Sequence, residues 1–284
     1  MKLYLITTDH METKVWFREE ADYVAGMNYV AVAVGSTRVM IVAFILMSNH
    51  VHFLILGTYQ DALRFIGLFK QLYGTYYCGK YGVSRFFRGN AVDIREIPFL
   101  GETPEKAIAY VQMNSVAARI CLEASGYRWG SGTCFFNDVH MPGRALGDMS
   151  VRKQRRLLKS HTVLPKSWKV CEYGYVLPES YVSIDYVEQL YGTPSRMRYF
   201  LLNSSKARMS AERNLPAFQD TVVQAAAKDL CTSMFHKNSI SALSEEEKTE
   251  LIKQLSRRFS TEIHQLCRTT GISYTDISNM LEAF

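Results

Sequence analysis

The sequence LMSNHVHFLIL, residues 46–56, places two histidines one residue apart at the start of an apolar, strand-like run. Successive side chains of a strand point to opposite faces, so His50 and His52 share one face of the predicted sheet and Val51 points to the other. Two imidazoles that converge on one face suit a divalent cation, since histidine is a common metal ligand. These residues alone are equally compatible with two half-exposed strand histidines that bind nothing.

The segments around these histidines predict a sheet and two helices. Residues 38–47 form a second apolar run, and Ser48-Asn49 between the two runs predicts a hairpin turn. Four more segments have the periodicity of strands or helices: residues 2–8, 19–34, 61–80 and 92–97. The resulting order β-α-β-β-α-β predicts an α+β fold with a ferredoxin-like, four-stranded antiparallel sheet and both helices on one face. The other face of such a sheet is open for a site.

A further predicted helix, residues 105–122, carries two residues that could complete a site with the histidines. Tyr110 and Asn114 are four apart, which places them one turn from each other on one helix face. An amide oxygen beside two imidazoles suits Mg²⁺ or Mn²⁺, with water and phosphate oxygens filling the remaining positions. A tyrosine one turn away could attack a phosphorus atom held by that metal, which would help a phenol whose ordinary pKa is about 10.

The composition of the chain changes beyond about Gly126, because residues 127–147 are rich in glycine. We therefore predict two units, residues 1–135 and a second unit, 136–284, which consists of a linker and a mainly helical accessory region. The second unit carries five cations in eight residues without an acid, and a solvated helix face would normally include Glu or Asp. We therefore expect contacts to phosphate groups from Arg152, Lys153, Arg155, Arg156 and Lys159.

Overall composition limits the class of protein and of partner. The formal net charge of +6 favours a polyanionic partner without requiring one. No apolar run approaches the roughly 20 residues that span a bilayer, so we expect no membrane partner. The six cysteines lie far apart and form no C-x-x-C pair, which is typical of reduced thiols in a cytoplasm and not of a disulfide framework or a zinc site.

Two separate motifs resemble one known family. The string Met47–Leu54 is similar to the His-hydrophobe-His signature of the HUH endonucleases, in particular the single-tyrosine transposases of the IS200/IS605 type and their REP-associated relatives. Residues 109–119, AYVQMNSVAAR, resemble the tyrosine motif of the REP-associated group, and residues 127–131 resemble the aromatic loop that follows it. The resemblance covers roughly residues 1–135, which would be the HUH nuclease domain.

Three positions depart from the family pattern. Ser48 stands where the family often has proline, Gln112 where histidine is common, and Ser115 where proline is usual. We assign no chemistry to these three positions, so the departures bear on the subfamily more than on activity. Tyr127, in the aromatic loop, is either structural or a stacking surface for a base.

The resemblance implies a reaction and a role for each site residue. His50 and His52 would be metal ligands, Asn114 the third ligand, and Tyr110 the nucleophile. The implied reaction is cleavage of single-stranded DNA near a hairpin, which leaves a 5′-phosphotyrosine link and a free 3′-OH and then allows strand transfer. The cofactor would be Mg²⁺ or Mn²⁺, the partner single-stranded DNA with hairpin or palindromic repeats, and the location the bacterial cytoplasm, at the nucleoid. Related transposases act alone or as homodimers, and both remain open.

Other roles and other functions compete with this interpretation. Arg85, Arg88 and Arg95 lie near the last predicted strand and either hold the DNA backbone or form a solvated edge. A relaxase or a replication initiator could use the same site, although these enzymes usually need other domains or a second tyrosine. A module that binds nucleic-acid hairpins on the same sheet without cutting them is an alternative from another class. The combination of histidines, asparagine and tyrosine favours the enzyme, because a pure binder has no use for it.

Overall fold

The computed structural model describes residues 1–8, 15–84, 86–87, 92–139, 141–205, 218–259 and 261–282. Four strands form the central sheet: β1 (Lys2–Thr7), β2 (Met40–Leu46), β3 (Val51–Gly57) and β4 (Asp93–Ile97). Their order across the sheet is β2-β3-β1-β4, and each neighbouring pair is antiparallel. The α+β class and the four-stranded antiparallel sheet are therefore confirmed.

Two long helices cover one face of this sheet: α1 (Glu20–Gly35) and α2 (Tyr59–Tyr81). The ring of Phe53 in β3 shows which face they cover, because it lies 5.0 Å from Phe65 and 5.3 Å from Phe69 of α2, measured between ring centroids. Since neighbouring side chains of a strand alternate, His52 points to the opposite face.

Short polar sequences define where the two long helices begin and end. At the start of α2 the Thr58 hydroxyl accepts a hydrogen bond from the Asp61 N–H (3.1 Å). The helix ends at Gly82, whose φ of 66° is a conformation that glycine adopts without steric cost. At the start of α1 the buried Asp22 carboxylate accepts hydrogen bonds from the backbone N–H groups of Arg18 and Glu19. These caps satisfy N–H groups that a helix start leaves without partners.

A third helix, α3 (Thr103–Gln112), lies on the sheet face that α1 and α2 leave open, against β2, β3 and β4. The prediction of one helix over residues 105–122 is wrong, because α3 ends at Gln112 and a short helix, α4 (Asn114–Ala117), follows it. The chain then turns at Arg119, which has the left-handed φ of 57°. The Asn114 side-chain amide donates hydrogen bonds to the carbonyls of Tyr110 and Val111 near the end of α3, which stabilises the break.

The remainder of the described chain is mainly helical, with one small two-stranded sheet. Its elements are β5 (Gly143–Ala145), α5 (Val151–Leu158), β6 (Lys169–Cys171), α6 (Ile184–Tyr191), α7 (Pro194–Leu202), α8 (Asp220–Phe235), α9 (Glu245–Phe259), α10 (Ile263–Thr270) and α11 (Tyr274–Glu282). In the part of the chain that the structure describes, no helix is both long and apolar enough to cross a membrane.

The buried side chains fall into two large cores. The main core runs in sequence from Leu3 to Phe200, and the second runs from Val223 to Met280 within α8 to α11. The predicted unit boundary at residue 135 therefore lies inside the main core, and the division between the cores falls after Phe200. The cores divide at that point because residues 141–202 pack on the sheet and its helices and form no core of their own.

The segment that follows α4 pairs with the edge strand β2. The Leu46 N–H donates to the Trp129 carbonyl (2.8 Å), and Gly130 forms an antiparallel bridge with Ile45. A Cβ atom on Gly130 would lie 2.7 Å from the Phe44 carbonyl oxygen, so only glycine permits this close approach. The glycine-rich stretch, residues 127–147, is thus partly an extension of the sheet.

Candidate active site

His50 and His52 lie side by side on the face of the sheet opposite to α1 and α2. Their ring centroids are 5.0 Å apart and their planes are nearly perpendicular, at 86°. His52 is 0 % exposed, and in the register of the sheet it lies between Ile45 of β2 and Thr7 of β1. The alternative of two half-exposed histidines therefore does not hold for His52.

A neighbouring amide orients the ring of His50. The residue is half-buried just before β3, and its Nδ1 atom lies 2.9 Å from Asn49 Oδ1. Since an amide oxygen can only accept, the hydrogen bond to Asn49 is donated by an N–H at Nδ1 of His50. A hydrogen bond of this kind behind an imidazole fixes its tautomer, which is the usual arrangement at histidines that bind metals.

Tyr110 reaches the histidine pair from α3. Its ring centroid lies 5.7 Å from that of His52, with the planes at 86°. The side chain is half-buried at the edge of the main core. Two strand-end histidines and a helix tyrosine that are far apart in sequence therefore meet on one face of the sheet.

The position of α3 is fixed by contacts within the same chain. The Tyr191 hydroxyl of α6 donates to the Glu105 carbonyl (2.7 Å), and the Arg196 guanidinium of α7 donates to the Glu105 carboxylate (2.9 Å). Glu105 is 4 % exposed, so this ion pair is shielded from water on its acidic side. These contacts place Tyr110 beside His52 of its own chain.

Asn114 lies one turn after Tyr110, at the start of α4. It is 4 % exposed, and its Nδ2 donates to the carbonyls of Tyr110 (2.9 Å) and Val111 (3.1 Å). Both bonds use the amide nitrogen. The amide oxygen, which is the atom that a metal ion would take, is not used in either bond.

The register of the sheet adds two residues to the face that carries the histidines. His52 pairs with Thr7, and Thr7 pairs with Asp93, so these three side chains lie in one row across β3, β1 and β4. Arg95 lies on the same face, one row further, and its guanidinium is 3.2 Å from the Asp93 carboxylate. Asp93 was missed in the sequence because only strand pairing shows which β4 residue shares a row with His52.

The predicted DNA-binding cations divide into separate groups. Arg95 lies on the face of His52, and its side chain is 70 % exposed. Arg85 and Arg88 lie outside the described residues. The five cations of the basic run, Arg152, Lys153, Arg155, Arg156 and Lys159, are all exposed.

The basic run lies on the other side of the sheet from the histidines. It forms most of α5, which packs on α1. The Asn28 amide of α1 donates to the Leu157 carbonyl (3.4 Å), and Lys159 Nζ lies 4.3 Å from the ring centroid of Tyr76 in α2. The structure therefore does not bring the basic run and the histidine pair together.

The aromatic loop after α4 is structural. Tyr127 is 5 % exposed, and its hydroxyl donates to the Leu46 carbonyl (2.8 Å). Trp129 stacks on Tyr23 of α1, with ring centroids 4.9 Å apart. Of the two interpretations of Tyr127, the structure supports a packing role and not a stacking surface for a base.

The imidazoles of His50 and His52 are the metal-binding groups that the structure brings together at the candidate site. Within the described ranges, no group of three or more His, Cys, Asp or Glu side chains could hold a metal ion. Together with the Asn114 oxygen, the two imidazoles would supply two nitrogens and one oxygen, a set that Mg²⁺ or Mn²⁺ could share with water and phosphate oxygens. A structural zinc site would take four protein ligands, mostly Cys and His.

Comparisons with protein-family models, with curated proteins and with solved structures find no match to this chain. A function is therefore inferred from the geometry of His50, His52, Tyr110 and Asn114 and from the motif resemblance, without support from a relative.

Proposed function

We propose that this chain is a metal-dependent single-stranded DNA endonuclease and strand transferase, a transposase of the HUH type, closest to the REP-associated group. The observation that carries the proposal is the contact between Tyr110 and the histidine pair, with 5.7 Å between the Tyr110 and His52 rings and 5.0 Å between the two imidazoles. The strand order β2-β3-β1-β4, with α1 and α2 on one face, supports a ferredoxin-like HUH nuclease core.

Each residue of the site has a distinct role in this proposal. His50 and His52 would hold Mg²⁺ or Mn²⁺ through their ring nitrogens, with the Asn114 oxygen as third ligand. The cation would polarise the scissile phosphate and stabilise negative charge near the phenol. Asn49 orients the His50 ring, and Asn114 fixes the turn of helix that carries Tyr110.

The reaction is a transfer of one phosphodiester bond. The Tyr110 hydroxyl loses its proton and its oxygen attacks phosphorus, which breaks the bond to the 3′ oxygen of the upstream strand. That oxygen gains a proton and leaves as a free 3′-OH, while the downstream strand stays on Tyr110 through its 5′ phosphate. Because the phosphotyrosine conserves the energy of the broken bond, attack by a second 3′-OH completes strand transfer.

Substrate and location follow from the same proposal. The partner would be single-stranded DNA with hairpin or palindromic repeats, in the bacterial cytoplasm at the nucleoid. Arg95 is the cation that would contact the strand near the cleavage point, since it shares the face of His52. The cations of α5 would contact a different segment of the DNA backbone, on the other side of the sheet.

Covalent capture tests the proposal. A hairpin oligonucleotide labelled at its 3′ end and incubated with Mn²⁺ should label the protein, and the same oligonucleotide labelled at its 5′ end should not. Tyr110→Phe should abolish the adduct. Tyr199→Phe is the matched control, because Tyr199 is 62 % exposed on α7 and has no assigned role.

Three results would contradict the proposal in different ways. An adduct that persists in Tyr110→Phe would show that another residue is the nucleophile. Salt-dependent binding of the hairpin without any adduct, in the presence of Mn²⁺, would favour the module that binds hairpins without cutting. An adduct that carries the 5′-labelled strand would show the opposite polarity of cleavage and exclude the assigned family.

A further inference from the structure

The turn that carries His50 contacts the C-terminal helices through one buried hydrogen bond. Ser48 lies two residues before His50, and its hydroxyl donates to the Asp220 carboxylate at 2.7 Å. Asp220 is the first residue of α8 and is 4 % exposed. The two residues are 172 positions apart, so no local pattern in the sequence indicates the contact.

Two side chains of α10 hold the Asp220 carboxylate in place. Arg268 donates to both of its oxygens, at 3.0 and 3.2 Å. The Gln265 amide donates to Oδ1 at 3.0 Å. A carboxylate held by a forked guanidinium has a fixed orientation, and charge-assisted hydrogen bonds are stronger than neutral ones. The second core therefore presents an oriented acceptor to Ser48.

The backbone of the same turn is held from the other end of the chain. The Ser48 carbonyl accepts hydrogen bonds from the N–H groups of Trp16 (2.7 Å) and Phe17 (3.0 Å). The Met47 N–H donates to the His50 carbonyl at 2.9 Å, which closes the turn. The N-terminal segment thus fixes the backbone of Ser48, while Asp220 fixes its side chain.

We propose that Asp220 is a positioning residue for His50, so that the C-terminal helical unit, residues 218–282, contributes to metal binding by orienting the turn before His50. This inference rests on the proposed function, since it assigns His50 to a metal. A ligand must lie within a few tenths of an ångström of its ideal distance from the ion. Freedom of the turn before His50 therefore reduces metal affinity even when both imidazoles are present.

Mn²⁺ binding to the full chain, measured by calorimetry and by the loss of the free-ion electron paramagnetic resonance signal, tests the inference. Ser48→Ala removes the hydroxyl, and we expect the Kd for Mn²⁺ to rise about tenfold, as for loss of a group that orients a metal ligand. Asp220→Asn should have a similar effect. Ser48→Thr keeps a hydroxyl and should restore affinity to within about threefold of the unmodified chain.

The chain contains a matched control of the same chemistry. The Ser273 hydroxyl donates to the Asp276 carboxylate at 2.6 Å, in the same helical unit, but this pair is exposed and lies at the start of α11. Ser273→Ala and Asp276→Asn should therefore leave the Kd for Mn²⁺ unchanged.

The outcomes separate this inference from the proposed function. If the unmodified chain binds no Mn²⁺, or if His50→Ala binds it equally well, the proposed function fails. If His50→Ala loses binding but a folded Ser48→Ala binds Mn²⁺ with unchanged Kd, only the positioning inference is overturned. A lower melting temperature with unchanged Kd would also overturn it, because Asp220 would then only dock the helices.

Discussion

The Asn114 side chain is expected to have two roles: it stabilises the break between α3 and α4, and it binds the metal ion. The stability of Asn114→Ala measures the first role. Its Nδ2 makes two hydrogen bonds, to the Tyr110 and Val111 carbonyls, and the residue is 4 % exposed. A neutral hydrogen bond contributes about 0.5–1.5 kcal/mol net. Water cannot easily replace the lost donor at a buried site, so we expect the free energy of unfolding to fall by about 2 kcal/mol.

Urea unfolding followed by tryptophan fluorescence is the suitable assay. The three tryptophans, Trp16, Trp129 and Trp168, all lie in or against the main core, and Tyr110 packs against the same core. Asn203 offers a matched control, because its Nδ2 donates to the Tyr199 carbonyl (2.8 Å) at the exposed end of α7. We expect Asn203→Ala to cost less than about 0.5 kcal/mol, as surface substitutions usually do.

The second role of Asn114 appears only in metal binding. Asn114→Ala should weaken Mn²⁺ binding, whereas Asn203→Ala should not. A loss of unfolding free energy below about 0.5 kcal/mol in Asn114→Ala would refute the packing account of the break between α3 and α4. Unchanged Mn²⁺ affinity would remove Asn114 from the ligand set.

Three further predictions concern stability and DNA binding. Burial opposes ionisation of Asp22, but hydrogen bonds from Lys80 and Tyr81 outweigh it and lower the pKa of the carboxyl. The pKa of Asp22 in the folded protein lies below its value of about 4 in the unfolded chain, so the ionised carboxylate stabilises the fold above about pH 4. This contribution to stability is lost as the pH falls through the folded pKa. The difference in urea stability between the unmodified chain and Asp22→Asn should therefore narrow below about pH 4, and a constant difference would contradict the argument. Gly130→Ala should destabilise the protein by about 1–3 kcal/mol, because the new Cβ would lie 2.7 Å from a carbonyl oxygen. The control, Gly79→Ala, lies in open space on α2 and should stabilise the protein slightly. Equal effects of the two substitutions would refute the close approach at β2. Replacement of Arg155 and Arg156 by Gln should reduce the slope of log K against log salt concentration for single-stranded DNA binding by about 0.7 per lost contact. The adduct yield at saturating DNA should stay unchanged. An unchanged slope would remove α5 from the DNA interface.

The sheet was predictable because its two longest strands, β2 and β3, are unusually apolar and follow one another directly. The runs at residues 38–47 and 50–56 have the length and composition of strands, and the Ser48-Asn49 turn between them predicts a hairpin. The alternation of His52 and Phe53 then decides which side chain faces the helices and which faces the site.

Contacts between distant segments were not predictable from the sequence. The periodicity that predicts one helix over residues 105–122 does not show the break at Met113 or the turn at Arg119, although the Asn114 hydrogen bonds at the break are local. In the sequence, glycine at position 130 is typical of a loop, whereas in the structure it permits close pairing with β2. The bond between Ser48 and Asp220 and the row that joins His52 to Asp93 likewise depend on packing.

The position of the basic run shows a further limit of sequence patterns. Five cations without an acid indicate a surface that binds polyanions, but nothing in the run indicates which face of the sheet carries it. Its amphipathic helix packs on α1 and buries Leu158, which is 1 % exposed, in the main core, so the cations lie on the other side of the sheet from the histidines. The net charge of the chain therefore does not locate its active site.

The central claim is that Tyr110 forms a covalent bond with DNA. The most direct measurement is mass spectrometry of the adduct after digestion with trypsin and a nuclease. Cleavage after Lys106 and Arg119 releases the peptide AIAYVQMNSVAAR, residues 107–119, in which Tyr110 is the only tyrosine. We predict that this peptide carries a nucleotide linked through its 5′ phosphate to Tyr110. A nucleotide on any other peptide, or an adduct sample in which residues 107–119 are recovered only in unmodified form, would contradict the claim.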